Sequence, residues 1–189
     1  DINEMLNYKE SMIKSNTEGI QFLFKKNKIT SIKGSASIIS DNEIKVINGK
    51  SEEQYNADNI IIATGSTHNT IPGVEIDEKN IISSTGGLSI GNVPDSLLII
   101  GAGYIGIELG SVWARLGSNV TFVEAFDRIL HNTDTECAVY LKKILEKKGM
   151  KFILNTKVES VEKEKDKLKV LLNNIENNEK MELSSDIVM

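Results

Sequence analysis

The sequence predicts an α/β chain in which helices pack on a central parallel sheet that carries a three-stranded antiparallel meander. Three observations lead there. Residues 96–100 (SLLII) and 59–63 (NIIIA) are unbroken apolar runs, as strands buried on both faces are. Helical periodicities alternate with such runs. The stretch after residue 148 also repeats the order of the stretch after residue 26, which predicts two tandem copies of one fold with the first copy incomplete.

The elements follow in chain order. Residues 1–26 read as a helix, with Ile2, Leu6, Ile13, Ile20 and Phe24 at helical spacing, Lys25 and Lys26 at its carboxyl end, and Asn27 as a left-handed cap. Residues 29–32, 35–39 and 43–47 read as short strands, and 59–63 as a buried one ending in Thr64-Gly65-Ser66. Residues 96–100 form the next buried strand. Residues 104–116 form a helix with Ile105, Leu109, Val112 and Leu116 on its apolar face, stopped by Gly117. A strand at 119–124 precedes a helix opened by the capping box Thr133-x-x-Glu136 and stopped by Gly149. Strands at 151–154, 157–161, 168–172 and 181–183 follow, and 186–189 starts one more. Lys25-Lys26-Asn27 aligns with Lys147-Lys148-Gly149 and Asp58 with Asp186, which is the basis of the repeat.

Composition narrows the function. Of 189 residues 40% are hydrophobic and 26% charged, with a net charge of -5. That is an ordinary globular balance with no basic surface for nucleic acid. No apolar run reaches membrane-spanning length. The single cysteine, Cys137, excludes an internal disulfide, a CxxC redox centre and a cysteine-based zinc site, and no metal site is expected. A chain that starts at Asp1 and stops at Met189 inside an apolar run reads as a slice of a longer protein.

Chemistry enters with Gly101-Ala102-Gly103-Tyr104-Ile105-Gly106, a G-x-G-x-x-G that follows a buried strand and opens a helix. Gly101 permits the tight turn, Gly103 lets the backbone approach a pyrophosphate, and Gly106 lets helix and strand pack closely. The free N–H groups at the helix start suit phosphate. Glu124, at the end of the next strand, can accept both ribose hydroxyls, and these features together predict a Rossmann-like FAD/NAD(P)-binding fold. A 2′-phosphate about 4 Å from Glu124 would be repelled by about 4 kcal/mol per charge pair at an effective dielectric near 20. Asp127 adds to that repulsion, and Arg128 lies past the strand end, so NAD is favoured over NADP.

The stretch GAGYIGIELGSVWARLGSNVTFVEAFDRIL (101–130) resembles the NAD-binding segment of the dihydrolipoamide dehydrogenase family, flavoproteins of the pyridine nucleotide-disulfide oxidoreductase group. FLFKKNKI (22–29), NIIIATGS (59–66), IPGV (71–74), ISSTGGL (82–88) and KGMKFILNTKV (148–158) fit the same family, and GSVWARLG resembles mitochondrial-type members more than plastid ones. Glutathione reductases usually carry a basic residue where Glu124 stands.

The resemblance implies a partial FAD-binding domain at 1–72, a connector at 73–94 and an NAD-binding domain at 95–189. It implies NAD contacts at Gly101, Ala102, Gly103, Tyr104, Ile105, Gly106, Glu108, Glu124 and Val158, with Val158 near the adenine and Tyr104 and Glu108 near nicotinamide and flavin. Ala36, Thr64, Gly65 and Ser66 would contact FAD. The family's redox cysteine pair and catalytic base match nothing in this chain, so no catalytic residue is assigned and the segment alone is expected to be inactive and colourless. The longer protein would be a homodimer in the mitochondrial matrix that oxidises the lipoyl domains of 2-oxo acid dehydrogenase complexes. Another NAD(H)-dependent flavoprotein of the superfamily, such as an NADH oxidase or a mercuric reductase, and a non-catalytic NAD-sensing module are the alternatives. Cys137 reads as a small core residue, Trp113 as packing, His68 and His131 as solvated, and residues 162–167 (EKEKDK) as a hairpin tip.

Overall fold

A computed structural model describes residues 1–189. The chain divides into two compact units, Asn3–Thr67 and His68–Met189.

In the first unit, helix α1 (Ile2–Lys26) is capped by Asp1, whose carboxylate accepts from the N–H groups of Asn3 and Glu4, and none of its residues is buried. The left-handed residue past its end is Lys28 at φ 56°, one position later than expected, since Asn27 stays at φ -90°. The cause is local: the backbone and side-chain amides of Asn27 both donate to the Leu23 carbonyl, which holds Asn27 in the last turn. Strands β1 (Ser35–Ser40), β2 (Glu43–Asn48) and β3 (Ser51–Asn56) form an antiparallel sheet in that order.

Two expected strands do not form. Residues 29–32 and 59–63 are irregular, and Ile61 and Ile62 are 89% and 71% exposed. A strand buried on both faces needs ladder neighbours and covering helices, and residues 59–63 pair with no strand.

The second unit holds the parallel sheet. Helix α2 (Ser84–Gly87), N-capped by Ser83, precedes β4 (Ser96–Ile100), α3 (Tyr104–Leu116), β5 (Asn119–Val123), α4 (Thr135–Lys147) and β6 (Lys151–Ile153). An antiparallel meander of β7 (Thr156–Glu164), β8 (Lys167–Asn174) and β9 (Lys180–Ser185) then leads to β10 (Ile187–Val188). The parallel order is β10-β4-β5-β6, so β4 is flanked by its successor on one side and by the last strand on the other. Open α/β sheets bind ligands beyond the carboxyl ends of their strands at such a reversal of strand order. A three-stranded antiparallel sheet occurs in both units but a parallel sheet only in the second, so the fold does not establish the expected tandem repeat.

The alternation of β4 explains its unbroken apolar run. Leu97 and Ile99 pack with Trp113 and Phe122 on the helix side, while Leu98 packs with Val123, Val170 and Val188 on the meander side. Phe122 stacks on Phe152 at 4.8 Å between centroids. The face of α3 differs from expectation: Ile105, Val112 and Leu116 are exposed, while Ile107, Gly110 and Trp113 are buried. Two glycines decide this. A Cβ on Gly106 would lie 2.6 Å from the Gly101 carbonyl oxygen, and one on Gly110 would strike the Phe122 ring and lie 2.7 Å from Ile99 Cδ1. The helix therefore approaches the sheet along its smallest stripe. Trp113 completes that contact by donating its indole N–H to the Gly87 carbonyl at 3.0 Å.

Helix α4 starts one residue later than the expected capping box. Asp134, not Thr133, is the N-cap and accepts from the N–H groups of Glu136 and Cys137. Cys137 is exposed in that first turn rather than packed in the core, because the residue that α4 buries there is Ala138.

Candidate functional site

The glycine turn joins β4 to α3. Gly101 takes φ 100°, the left-handed region that only glycine enters freely, and its N–H donates to the Val123 carbonyl at 2.8 Å. Gly103 is the N-cap of α3, no side chain caps the helix, and a Cβ built there meets nothing within 4 Å. The first-turn N–H groups of α3 therefore face an open cradle, with the positive end of a 13-residue helix behind them. Such a cradle fits a pyrophosphate, which the bare backbone at Gly103 can approach closely.

Glu124 joins this turn directly. Its Oε2 accepts from the Ala102 N–H at 2.6 Å and its Oε1 from the Phe126 N–H at 3.0 Å, and the residue is 7% exposed. The turn and the acid thus share one hydrogen bond, and the carboxylate's remaining lone pairs stay available to a sugar hydroxyl. Arg128 turns away from this acid: its guanidinium donates to the His131 carbonyl at 3.0 Å inside the same loop. His131 stacks on Phe126 at 4.1 Å rather than standing free in solvent as expected.

Two hollows flank the turn. One, of about 640 Å³, is lined by Gly101, Glu124, Ala125 and Val158 together with Ile71 and Pro72. The other, of about 480 Å³ and mostly apolar, is lined by Gly103, Tyr104, Ile105, Gly106, His68 and Met189 among others. Val158 is buried at 8% exposure, whereas Tyr104 stands 70% exposed at the rim. The structure thus brings together Gly101, Ala102, Gly103, Tyr104, Ile105, Gly106, Glu124 and Val158. Glu108 is exposed on α3, one turn beyond Tyr104, and lines neither hollow. In the first unit, Ala36 is exposed on β1, and Thr64, Gly65 and Ser66 are exposed in an irregular segment.

Some contributors escaped the sequence reading. Ile71, Pro72 and Ala125 line the Glu124 hollow; IPGV (71–74) fits the family but signals no site role, and Ala125 carries no local signal. Gly110 was missed as well, and the signal that could have found it is its place one turn past Gly106 on the same helix stripe. No group of three or more His, Cys, Asp or Glu is arranged to hold a metal ion, and no helix is long and apolar enough to cross a membrane.

Comparison with known proteins agrees with this geometry. The chain is 46% identical over 191 residues to dihydrolipoyl dehydrogenase 1, mitochondrial, of Arabidopsis thaliana, which covers 100% of this chain and 38% of that protein. It is 48% identical over 167 residues to the mitochondrial dihydrolipoyl dehydrogenase of Dictyostelium discoideum, covering 88% of this chain and 34% of that one. The chain thus spans well under half the length of these curated relatives. Among solved structures, the flavoprotein disulfide reductase RclA of Escherichia coli superposes with a TM-score of 0.71 at 30% identity over 93% of this chain and 40% of its own. LpdA of Mycobacterium tuberculosis superposes over 100% of this chain and 42% of its own, with a TM-score of 0.86 at 19% identity, a likeness of fold. The family model described as pyridine nucleotide-disulphide oxidoreductase matches residues 2–189. An uncapped glycine turn, a buried acid bonded to it and a family match along almost the whole chain lead to one conclusion: the chain belongs to the pyridine nucleotide-disulphide oxidoreductases.

Proposed function

We propose that this chain is the NAD-binding segment, with part of the FAD-binding domain, of a dihydrolipoyl dehydrogenase. Residues 95–189 are the NAD-binding domain, 73–94 the connector and 1–72 the FAD-binding part, to which Ala36, Thr64, Gly65 and Ser66 belong. The hydrogen bond from the Ala102 N–H to the Glu124 carboxylate carries the reading, since it sets phosphate donors and a ribose acceptor side by side.

Each half of a dinucleotide has a place. The α3 amino terminus holds the pyrophosphate through backbone N–H groups. Glu124 accepts from the ribose hydroxyls, and Val158 offers the adenine an apolar surface. The apolar hollow beside Tyr104 and Ile105 receives the other half and shields it from water. Glu108, exposed on the helix past Tyr104, is assigned to the outer edge of that half. NAD bound here supplies a nicotinamide that accepts hydride.

The whole protein would oxidise dihydrolipoamide on lipoyl domains of 2-oxo acid dehydrogenase complexes to the cyclic disulfide, reducing NAD⁺ to NADH and releasing one proton, with FAD as the relay. It would work as a homodimer in the mitochondrial matrix; its relatives are named mitochondrial enzymes. Calorimetric titration of the chain tests the cofactor assignment. Tight binding of NADH and weak binding of NADPH is the expected result, and equal affinity for the two overturns it.

A further inference from the structure

One wall of the Glu124 hollow comes from outside the sheet. Residues 71–74 form a tight turn, closed by the Val74 N–H donating to the Ile71 carbonyl at 3.0 Å. Ile71 and Pro72 line this hollow together with Glu124 and Val158, and Ile71 also lines the apolar hollow beside Tyr104. Ile71, Ile100 and Gly101 line both hollows, so the turn borders the two.

Its position is fixed at Gly73. The Val161 N–H donates to the Gly73 carbonyl at 3.1 Å, tying the turn to β7. Gly73 sits at φ 81°, and a Cβ there would collide with the Glu159 carbonyl oxygen. Only glycine therefore satisfies both the backbone angle and the contact. The seat is itself built: the pairing of β7 with β8 shifts register between Val158 and Ser160, which leaves Glu159 on a bulge. Asn173 on β8 and Lys180 on β9 donate to the two carboxylate oxygens of Glu159 at 3.0 and 2.9 Å. A continuous set of contacts runs from the meander through the bulge and Gly73 to Ile71 and Pro72.

We propose that the 71–74 turn is a positioning element for the dinucleotide: Gly73, seated on the Glu159 bulge, holds Ile71 and Pro72 where they confine the adenosine half against Glu124 and Val158. This rests on the NAD-binding reading above, and the test separates the two. The chain is titrated with ADP-ribose, which contains the adenosine and pyrophosphate but no nicotinamide. Gly73→Ala and Ile71→Ala each weaken ADP-ribose binding about tenfold. Ile71→Val, which keeps a branched wall, restores it. The thermal midpoint of Ile71→Ala stays at the parent value, so lost affinity is not lost folding. Should Gly73→Ala fail to fold, the two Ile71 variants carry the comparison. Parent-like affinity in Ile71→Ala overturns the proposal and leaves the cofactor reading intact. Failure of the parent chain to bind ADP-ribose overturns the cofactor reading, and the proposal with it.

Discussion

Gly103 and Gly106 lie within one turn, and their missing side chains do different things. A Cβ at Gly103 points into open space, whereas one at Gly106 would press on the Gly101 carbonyl at 2.6 Å and the Ile99 side chain at 3.2 Å. The first glycine keeps a surface clear and the second keeps a contact close. Gly106→Ala is thus expected to destabilise by about 1–3 kcal/mol through overpacking, read as a lowered urea midpoint. Gly103→Ala leaves that midpoint near the parent and weakens NADH binding. If the two substitutions behave alike, the division of labour is wrong. Glu124 stands between these roles, since both of its oxygens accept backbone N–H groups within a nearly closed site. Its side chain therefore shapes the turn as well as the ribose site.

Among the elements, β10 is a two-residue strand held by a carboxylate. Asp186 accepts from the Ser96 hydroxyl at 2.7 Å and the Ser96 N–H at 2.8 Å, and Lys167 lies 3.4 Å from its other oxygen. The bond from the Ser96 hydroxyl, against the opposing pull of burial, holds this carboxyl below the ordinary aspartate value of 3.8. Asp77 is shifted the same way: burial pushes it up, but the N–H groups of Lys79, Ile81 and Asn80 together outweigh that. The sign follows from linkage. The unfolded chain takes up these protons at higher pH than the folded one, so the stabilisation is complete above the ordinary value and is lost as pH falls below it. The urea midpoint is expected to drop between about pH 5 and pH 3, with Asp186→Asn showing lower stability at neutral pH and a shallower acid loss. An acid dependence unchanged by that substitution contradicts the role given to Asp186.

Elements also show where sequence patterns stop being informative. The glycine turn, both flanking strands and the acid were legible because each obeys a local rule. The buried face of α3 was not, since counting large apolar residues selects Ile105, Val112 and Leu116, while the contact is made by Ile107, Gly110 and Trp113. Hydrophobic spacing reports bulk, and this interface is set by its absence. The wall at Ile71 and Pro72 was illegible for another reason: its partner on β7 is remote in sequence, and nothing near residue 73 announces the bulge that receives it.

At the scale of the whole molecule the two units differ in what they bury. All the residues of the two buried apolar clusters lie in His68–Met189, whereas α1 buries none of its residues and residues 59–66 are almost wholly exposed. Local stability follows contact density. Amide exchange is expected to be fast through α1 and residues 59–66 and slow through β4, β5 and β8. Comparable protection of α1 and β4 contradicts this. The same contrast accounts for the strand expected at 59–63 and not formed: its apolar run has neither a ladder partner nor a covering helix.

Trp113 is the only tryptophan in the chain, and it is 2% exposed with its indole nitrogen tied to the carbonyl of Gly87. Its near-ultraviolet emission is consequently an intrinsic optical label for the unit that carries the parallel sheet. Loss of order in the amino-terminal meander is expected to leave that signal unchanged, so a fluorescence melt follows one unit while circular dichroism averages both.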